Sequence, residues 1–336
     1  MKGLRIGFIG TGGIARGHGK RLRMIEGVEI AALVDPSEKS LAAFSEAVFN
    51  GDGRPPVYRN HREMLEKEKL DAVMVCTPHT LHYDQIMESL DAGLHVLSEK
   101  PLVCTEDETS SIIDKSGKTG RHVMVSFQRR FRGAYRRMKE IIHDPEFGNV
   151  NFVSAYVSQG WLTSQAGTWR QQLSLSGGGQ LNDTGAHIID MMMWMLEDEA
   201  AEVSAFIDNR GCEVDIDSAV SFRTRKGTLG TLSVVGSAPQ GSMWEEITMS
   251  GDKGRALYLS QGKLTAAMGH GQKLEPIELE GENIDPDRHF VDVVAGRVRN
   301  ESPPEDFLRN IRFTQAAWKS AEGGGRVIRI DQGRSE

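Results

Sequence analysis

The chain has 336 residues, of which 39% are hydrophobic and 26% are charged. This length favours two domains, and the composition excludes a disordered chain, a collagen-like repeat and a disulfide-stapled miniprotein. Its 40 basic and 47 acidic residues leave a net charge of −7, which argues against a nucleic-acid partner because such proteins usually carry a basic face.

The cysteines and the hydropathy pattern bear on location. Cys76, Cys104 and Cys212 are odd in number and far apart, so they predict buried thiols of a reducing compartment, with no disulfide framework and no metal site. No apolar run approaches the roughly 20 residues of a membrane helix. The first apolar run begins at Leu4, which leaves no room for a signal peptide. We expect a cytoplasmic protein with no membrane partner.

The first 125 residues alternate short apolar runs with longer helix-like stretches. This rhythm predicts βαβ units and a parallel sheet covered on both faces. The segment 50–56 (NGDGRPP) breaks it and is predicted to be a loop. The predicted strands are Leu4–Ile9, Val28–Val34, Ala72–Cys76, His95–Leu97 and Val123–Val125.

The texture of the sequence changes after Phe127. A helix is predicted over residues 129–144, followed by mostly strand-like segments to about residue 280, two helical stretches and the short run VIRI. This pattern favours an α+β domain with a largely antiparallel sheet. We therefore expect a doubly wound α/β domain at 1–125 and an α+β domain at 126–336, with the C-terminal helices packed back on the first domain as an open alternative.

A glycine-rich motif follows the first predicted strand. Gly10, Gly12, Gly13, Ile14 and Ala15 fit the pattern G-x-G-x-x-A, in which the first Gly permits a tight turn and the second admits a pyrophosphate. The helix that begins here offers backbone N–H groups to the anion. An ordinary glycine-rich turn is the alternative, and the surrounding βαβ pattern favours the dinucleotide site.

An acidic residue stands at the end of the second predicted strand. Asp35 lies 20 residues after Ala15, where a carboxylate can accept hydrogen bonds from the adenosine ribose and repel a 2′-phosphate. The next residues, PSEKS, include Lys39 but no Arg. The sequence therefore predicts NAD rather than NADP, although Lys39 leaves the phosphate-bearing cofactor open.

Two further strand ends carry polar residues. Lys100 follows the fourth of these strands, at the carboxyl edge where parallel sheets bind ligands, and a solvated surface lysine is the equal alternative. The segment 76–82 (CTPHTLH) follows the third strand and is expected to line the nicotinamide side of the site. Its histidines, His79 and His82, fit packing and capping equally well, and we expect no catalytic role for them.

Asp183 and His187 are four residues apart at the start of a predicted helix, so both project from one face. A carboxylate beside an imidazole is the pairing that a general base needs. An N-cap aspartate with a structural histidine explains the same residues, and by themselves they favour that interpretation. A metal pair is less favoured still, because neither an HExxH motif nor a third nearby ligand is present.

The sequence as a whole resembles the Gfo/Idh/MocA family, the glucose–fructose oxidoreductase and inositol dehydrogenase-like proteins. The likeness runs in order through GFIGTGGIARGH, VDPS, CTPHTLHYDQIMESLDAGLHVLSEKPL, SFQRRF, FGNV and WRQQLSLSGGGQLNDTGAHIID. It covers nearly the full length, and EKP with GGGxLxDxGxHxxD is specific to the family. His79 stands where Asn is common, and 50–56 looks like an insertion.

This resemblance implies an N-terminal Rossmann domain and a C-terminal domain whose large open sheet mediates dimers or tetramers. It implies that Lys100, Asp183 and His187 are the catalytic set. The cofactor contacts expected from the motifs and the resemblance are Gly10, Gly12, Gly13, Ile14, Asp35, Thr77, Pro78, His79, His82, Glu99 and Lys100. The substrate contacts expected are Arg129, Trp161, Trp169 and Arg170, with core packing or a solvated helix face as the alternative for each.

The resulting hypothesis is oxidation of a ring hydroxyl of a sugar, sugar derivative or inositol-type polyol by an NAD(P)-dependent dehydrogenase acting on CH–OH groups. His187 would remove the hydroxyl proton, since an unperturbed imidazole has a pKa of ~6.5. Lys100 would stabilise the alkoxide, and Asp183 would orient the histidine or hold a neighbouring hydroxyl. Both domains would contribute. Two alternatives stay open: a glycosidase or epimerase that retains its NAD with no net redox change, and a non-catalytic sensor.

Overall fold

The computed structural model describes residues 3–50, 53–239, 241–279 and 283–331. The chain divides into two compact units. The first comprises Met1–Gln128 with Ile284–Glu305, and the second comprises Arg129–Asn283 with Asp306–Glu336.

The first unit is built on a parallel sheet, since strands with few polar residues must be covered on both faces. Its strands are β1 (Leu4–Ile9), β2 (Val28–Val34), β3 (Val57–Tyr58), β4 (Ala72–Val75), β5 (His95–Ser98) and β6 (Val123–Val125). Its helices within 1–128 are α1 (Gly13–Arg23), α2 (Glu38–Phe49), α3 (His61–Lys67), α4 (His82–Asp91) and α5 (Glu106–Thr119).

The strand order of this sheet decides where a ligand can bind. Within the described residues the order is β3-β2-β1-β4-β5-β6, with all pairs parallel. The chain winds outward in one direction from β1 and in the other from β4, so β1 and β4 flank the switch point. Ligands of doubly wound sheets bind beyond the carboxyl ends of the strands at this point.

The rest of the chain contributes longer strands and most of the remaining helices. The helices are α6 (Gly133–Ile142), α7 (Trp161–Ser164), α8 (Leu173–Ser176), α9 (Thr184–Leu196), α10 (Pro286–Val294) and α11 (Pro304–Glu322). The strands are β7 (Val150–Ser158), β8 (Ala200–Asp208), β9 (Asp217–Thr224), β10 (Leu229–Val235), β11 (Trp244–Gly251), β12 (Ala256–Ser260), β13 (Lys263–Ala267), β14 (Glu275–Pro276) and β15 (Ile328–Arg329).

These strands form one open sheet in the order β14-β13-β12-β11-β7-β10-β9-β8-β15, nine strands in the part of the chain that the structure describes. Only the β7–β10 pair is parallel among the pairings described. Burial alternates along β9 and β11, so one face is covered and the other is open. The covered face packs on α6 and α9, whose apolar residues, including Met191 and Met192, form the core of the unit.

The predicted fold class is confirmed, and most predicted elements lie within two or three residues of the observed ones. The short β3 and α3 were not predicted. In the segment 50–56, Gly51 and Asp52 lie outside the described residues, and 53–56 have no regular structure. The three cysteines are half-buried and form no disulfide among the described residues, whereas the sequence predicted buried thiols. No helix in the described ranges is long and apolar enough to span a membrane.

The segment Ile284–Glu305 departs from a simple division at residue 125. It groups with the first unit, where Ser302 O accepts the N–H of Val125 at 2.9 Å and Asn300 Nδ2 donates to Val123 O at 2.8 Å. These bonds satisfy polar backbone groups along β6. The first unit therefore includes residues that the sequence placed in the second domain.

Candidate active site

The glycine-rich loop connects β1 to α1 at the switch point. Gly10 has φ +91°, and a Cβ there would lie 2.7 Å from the backbone C and O of Cys76. A Cβ on Gly12 would meet nothing within 4 Å, and Gly12 caps α1 without a side-chain hydrogen bond. The start of α1 is therefore an open cradle with helix N–H groups, which suits a pyrophosphate. Ala15 is fully buried, and Ile14 is exposed.

Asp35 shapes this loop from the end of β2. Its Oδ2 accepts the backbone N–H of Thr11 at 2.9 Å and the Thr11 hydroxyl at 3.0 Å, while Oδ1 accepts the N–H of Ser37 at 2.9 Å. A carboxylate offers about four lone-pair sites, so these three bonds leave acceptor capacity for a ribose hydroxyl. Asp35 thus holds the loop in a shape compatible with its predicted role.

His82 joins the loops that follow β4 and β5. Its fully buried ring places Nε2 2.9 Å from Thr77 O and Nδ1 3.0 Å from Pro101 O. Burial lowers the pKa of His82, although the bonds to Thr77 and Pro101 oppose that shift. The sequence expected His82 to contact the cofactor; the structure turns its ring inward, so it positions the two loops. The ring of His79, also buried, lies 5.9 Å from that of His82.

Glu99 and Lys100 follow β5, at the same carboxyl edge as Gly10, Asp35 and Thr77. Glu99 is buried, and its Oε2 accepts the backbone N–H of Lys100 at 3.3 Å. Lys100 is half-buried and precedes a cis peptide bond to Pro101. The predicted cofactor-side residues of the first unit therefore collect at one edge of its sheet.

In the second unit, Asp183 occupies the N-cap position of α9 without capping the helix. Its Oδ2 accepts the indole N–H of Trp161 at 3.0 Å and Nε–H of Arg170 at 3.1 Å. The carboxylate is buried, so these donors offset its loss of hydration. An ordinary N-cap aspartate, which the residues alone favoured, does not describe this geometry.

His187 lies one turn further along α9. In the run Leu181–Asp190 it is the residue whose side chain is half-exposed, and its neighbours there are buried. A half-exposed imidazole one helical turn from a buried carboxylate fits a group that exchanges protons with a ligand.

The predicted substrate contacts divide into two kinds. Trp161 is buried in a small apolar cluster with Val214 and Ile216, and its indole N–H donates to Asp183. Its role is therefore to pack in this cluster and to position Asp183. Trp169 and Arg170 are half-exposed, and the guanidinium lies 4.5 Å from the centre of the Trp169 ring. These two form a mixed apolar and cationic surface beside Asp183.

Arg129 is not available in the way the sequence suggested. It is buried, and its Nε and Nη2 both donate to the carboxylate of Glu245. Arg130 is also buried and pairs with Asp190 and Asp306. The alternative of a solvated helix face is therefore wrong for both arginines, because each completes a buried ion pair.

Asp215 and Trp318 position the loop that precedes Asp183, and the sequence patterns did not indicate either residue. Buried Asp215 accepts the N–H of Gly179 at 2.9 Å, that of Leu181 at 2.6 Å, and the indole N–H of Trp318 at 2.9 Å. A Cβ on Gly179 would lie 1.9 Å from Asp215 O. Burial raises the pKa of Asp215 despite these donors. Asp215 and its three donors, called the Asp215 clamp below, fix the loop that leads into Asp183. No local sequence pattern predicts this clamp.

Two family models match the chain. Residues 4–127 match the oxidoreductase family with an NAD-binding Rossmann fold, GFO_IDH_MocA, and residues 135–257 match the GFO/IDH/MocA C-terminal domain. The chain belongs to the Gfo/Idh/MocA family. This membership confirms the predicted family and the NAD cofactor, and makes the protein an oxidoreductase.

Relatives narrow the comparison within the family. The chain is 28% identical to myo-inositol 2-dehydrogenase of Thermotoga maritima over 260 residues, which cover 75% of this chain and 74% of that protein. It is 28% identical to D-glucoside 3-dehydrogenase of Escherichia coli over 194 residues, which cover 57% of this chain and 54% of that protein. The alignments thus span between half and three quarters of these relatives. The expected dehydrogenase acting on CH–OH groups agrees with their names.

The fold matches solved structures over almost its whole length. The aldose-aldose oxidoreductase of Caulobacter crescentus, complexed with glycerol, superposes with a TM-score of 0.84 at 20% identity, covering 98% of this chain and 100% of that one. This likeness shows a shared fold. The roles of Lys100, Asp183 and His187 in this Gfo/Idh/MocA protein stay predictions.

Proposed function

We propose that this protein is an NAD-dependent dehydrogenase that oxidises a ring CH–OH group of a sugar, a sugar derivative or an inositol-type polyol, or reduces the corresponding ketone. The observation that carries the proposal is Asp183, a buried carboxylate held by Trp161 and Arg170 one helical turn before the half-exposed His187. Dehydrogenation of an alcohol needs a proton acceptor at the hydroxyl, and this pair supplies one.

His187 is the proposed general base, which removes the hydroxyl proton as the carbon loses its hydride. Asp183 accepts the N–H groups of Trp161 and Arg170, and these donors fix its position; its proposed role is to hold a neighbouring hydroxyl or to orient the base. NAD, when bound, accepts the hydride. Orientation of the C–H bond toward the cofactor is the protein's main contribution to this step.

Lys100 is the proposed electrophile, whose ammonium would stabilise the negative charge that develops on the substrate oxygen. A fixed positive charge aimed at a developing alkoxide lowers the barrier without costing reorganisation. Its place after β5, beside the other cofactor-side residues, supports this role.

The cofactor would be held by the cradle described above. The N–H groups at the start of α1 would hold the pyrophosphate, and Asp35 would accept hydrogen bonds from the adenosine ribose, as in other doubly wound folds. The carboxylate supports NAD over NADP because a 2′-phosphate would lie against a negative charge.

Trp169 and Arg170 are the proposed substrate contacts. The indole presents an apolar face that suits the C–H surface of a pyranose or cyclitol, and the guanidinium suits hydroxyl or carboxylate oxygens. Arg129 is left out of this set because Glu245 occupies its donors.

The open face of the nine-stranded sheet is the proposed self-association surface for a homodimer or homotetramer. It exposes aromatic side chains on three adjacent strands, Phe152 and Tyr156 on β7, Trp244 on β11 and Tyr258 on β12. Contiguous exposed apolar patches commonly mark interfaces. Sedimentation of the purified protein tests the assembly. The three cysteines, which form no disulfide among the described residues, fit a cytoplasmic location.

A substrate screen with a matched variant pair tests the proposed function. Inositols, aldoses, sugar acids, 1,5-anhydro sugars and nucleotide sugars are offered with NAD or NADP, and formation of reduced cofactor is followed by absorbance. We expect turnover of a member of these classes with NAD, and a ~10²–10³-fold fall in kcat for Lys100→Ala. Lys118→Ala, which removes an exposed lysine from α5, should behave as wild type.

Two outcomes would contradict the proposal. Wild-type rates in Lys100→Ala would remove the assigned electrophile. Conversion of substrate with no net formation of reduced cofactor, in protein that retains NAD, would replace the dehydrogenase with a retained-cofactor reaction.

A further inference from the structure

A chain of buried charged side chains crosses the first unit behind the glycine-rich loop. The ring of His18, on α1, lies between two carboxylates: Nε2 is 2.9 Å from Glu99 Oε1, and Nδ1 is 2.5 Å from Asp287 Oδ1. His18 and Asp287 are fully buried, and Glu99 is 6% exposed. Arg21, one turn further along α1, donates from Nε to the other oxygen of Asp287.

The two carboxylates, one at each ring nitrogen, favour a charged imidazole. A neutral ring donates from one nitrogen only, so one carboxylate would face a lone pair; the imidazolium donates to both. Burial acts to lower the pKa of His18, but the charge and hydrogen bond of Asp287, with those of Glu99, outweigh it and raise the pKa to about 9.

The other groups near this ring are accounted for. Arg21 Nη2 lies 3.1 Å from His18 Nδ1, and Arg21 Nε pairs with Asp287 and lies 3.7 Å from Oδ1 of the partly exposed Asp285. The thiol of Cys76 is neutral because burial, with Glu99 and Asp287, raises its pKa. Two buried carboxylates therefore face His18 and Arg21, and their charges are balanced while His18 keeps its proton.

Glu99 connects this cluster to the predicted electrophile. The backbone N–H of Glu99 donates to Val75 O at 2.9 Å. The Glu99 carboxylate accepts the N–H of Lys100 on Oε2 at 3.3 Å, and Gln128 Nε2 lies 3.4 Å from Oε1. Burial alone would raise the pKa of Glu99, but His18, and to a lesser degree Lys100, bring it below its usual value. The carboxylate that orders the Lys100 backbone is thus fixed in charge and position by His18.

His18 also belongs to the helix that carries the cofactor cradle, five residues beyond Gly13 at its start. The His18 side chain therefore connects the helix that follows the β1 loop to Glu99, which follows β5. Asp287, at the first turn of α10, holds that side chain from the far end.

We propose that His18 is a positioning residue, anchored by Asp287, that couples the cofactor cradle to the Lys100 loop and makes nicotinamide dinucleotide binding depend on its own proton. This proposal rests on the proposed function for the placement of the cofactor and of Lys100. Loss of the His18 proton leaves one buried carboxylate without a donor, and relief of that cost moves α1 or the Lys100 loop. A merely structural cluster would change stability and leave cofactor affinity and its pH dependence intact.

The test is the affinity of the purified full chain for NADH, measured by titration calorimetry from pH 6 to about pH 10. We expect a constant affinity at neutral pH and a decline centred near pH 9. In Asp287→Asn the decline should move at least one pH unit lower, since the most favourable partner of His18 is removed, so binding at pH 8 weakens by ~2-fold or more. His18→Gln should bind weakly with no such decline.

Asp292→Asn is the matched control. Asp292 lies five residues after Asp287 on the same helix and its carboxylate pairs with Arg297, so this variant should keep the wild-type profile. Lys100→Ala separates the titration of the lysine from that of His18, and the decline near pH 9 should persist in it. It also keeps the test decisive if cluster variants do not fold, because it needs none of them.

Wild-type affinity and pH profile in Asp287→Asn and His18→Gln would overturn the coupling, and so would loss of the alkaline decline in Lys100→Ala. Failure of the proposed function looks different. A chain that shows the His18 profile yet oxidises no sugar or polyol keeps the coupling and loses the substrate class, whereas a chain that binds no NADH loses both.

Discussion

The glycine-rich loop of the first unit and the Gly177–Gly179 loop of the second both need glycine at a close approach, for different ends. A Cβ on Gly10 would strike the backbone that follows the neighbouring strand β4, and the loop leaves a cradle open for a ligand. A Cβ on Gly179 would strike Asp215, a carboxylate that clamps the loop from within. One loop makes room for a cofactor, and the other makes room for the protein's own support.

This difference separates what a sequence pattern can reveal from what it cannot. The cradle depends on spacing along one βαβ segment, so Gly10, Asp35 and Lys100 could be predicted from strand ends. The Asp215 clamp depends on Asp215 and Trp318, which approach Gly179 through tertiary packing. The buried cluster in the first unit likewise joins His18 to Asp287, which lies 269 residues away in the sequence. Likewise, only the fold shows that Glu245 occupies Arg129. Local sequence patterns predicted the candidate site residues. The contacts that hold these residues in place could be seen only in the folded structure.

Gly179→Ala should produce the largest stability effect. Because the Cβ would lie 1.9 Å from Asp215 O, backbone or clamp must move, and we expect a loss of ~3 kcal/mol in the free energy of unfolding. Urea unfolding measures this. Gly117→Ala, in α5, meets nothing within 4 Å and should be neutral or slightly stabilising. Equal stability of the two variants would show that the clamp is not rigid.

The pH dependence of stability should reflect His18 in the first unit. Its pKa is about 9 in the folded protein and ~6.5 unfolded, so its contribution is full below pH ~6.5 and is lost as pH rises through 9. Linkage predicts a fall of about 3 kcal/mol in unfolding free energy across that interval.

At acid pH the contribution of His95 has the opposite sign. Burial and the neighbouring His122 lower its pKa to about 4, so stability falls as pH drops from ~6.5 toward 4. Denaturant titrations at several pH values measure both limbs. His18→Gln should flatten the alkaline limb, while His270→Gln, at an exposed site, should keep it; an unchanged alkaline limb in His18→Gln would refute the assignment.

Asp35→Asn should have the smallest effect, on cofactor choice. The amide oxygen can still accept the Thr11 N–H, and removal of the charge lessens repulsion of a 2′-phosphate, so the NADP:NAD preference should rise by ~10-fold. Calorimetric titration with both cofactors measures the ratio. Asp114→Asn, an exposed change on α5, should leave it unchanged. An unaltered ratio in Asp35→Asn would place selectivity elsewhere.

We propose a division of labour, in which the first unit binds NAD and His187 of the second unit accepts the proton. The direct test compares His187→Ala with the exposed control His270→Ala, measuring kcat and NADH affinity on the same samples. We predict that His187→Ala lowers kcat by ~10²–10⁴-fold while NADH affinity stays within ~2-fold of wild type. A kcat close to that of His270→Ala, or a parallel loss of NADH binding, would contradict the account.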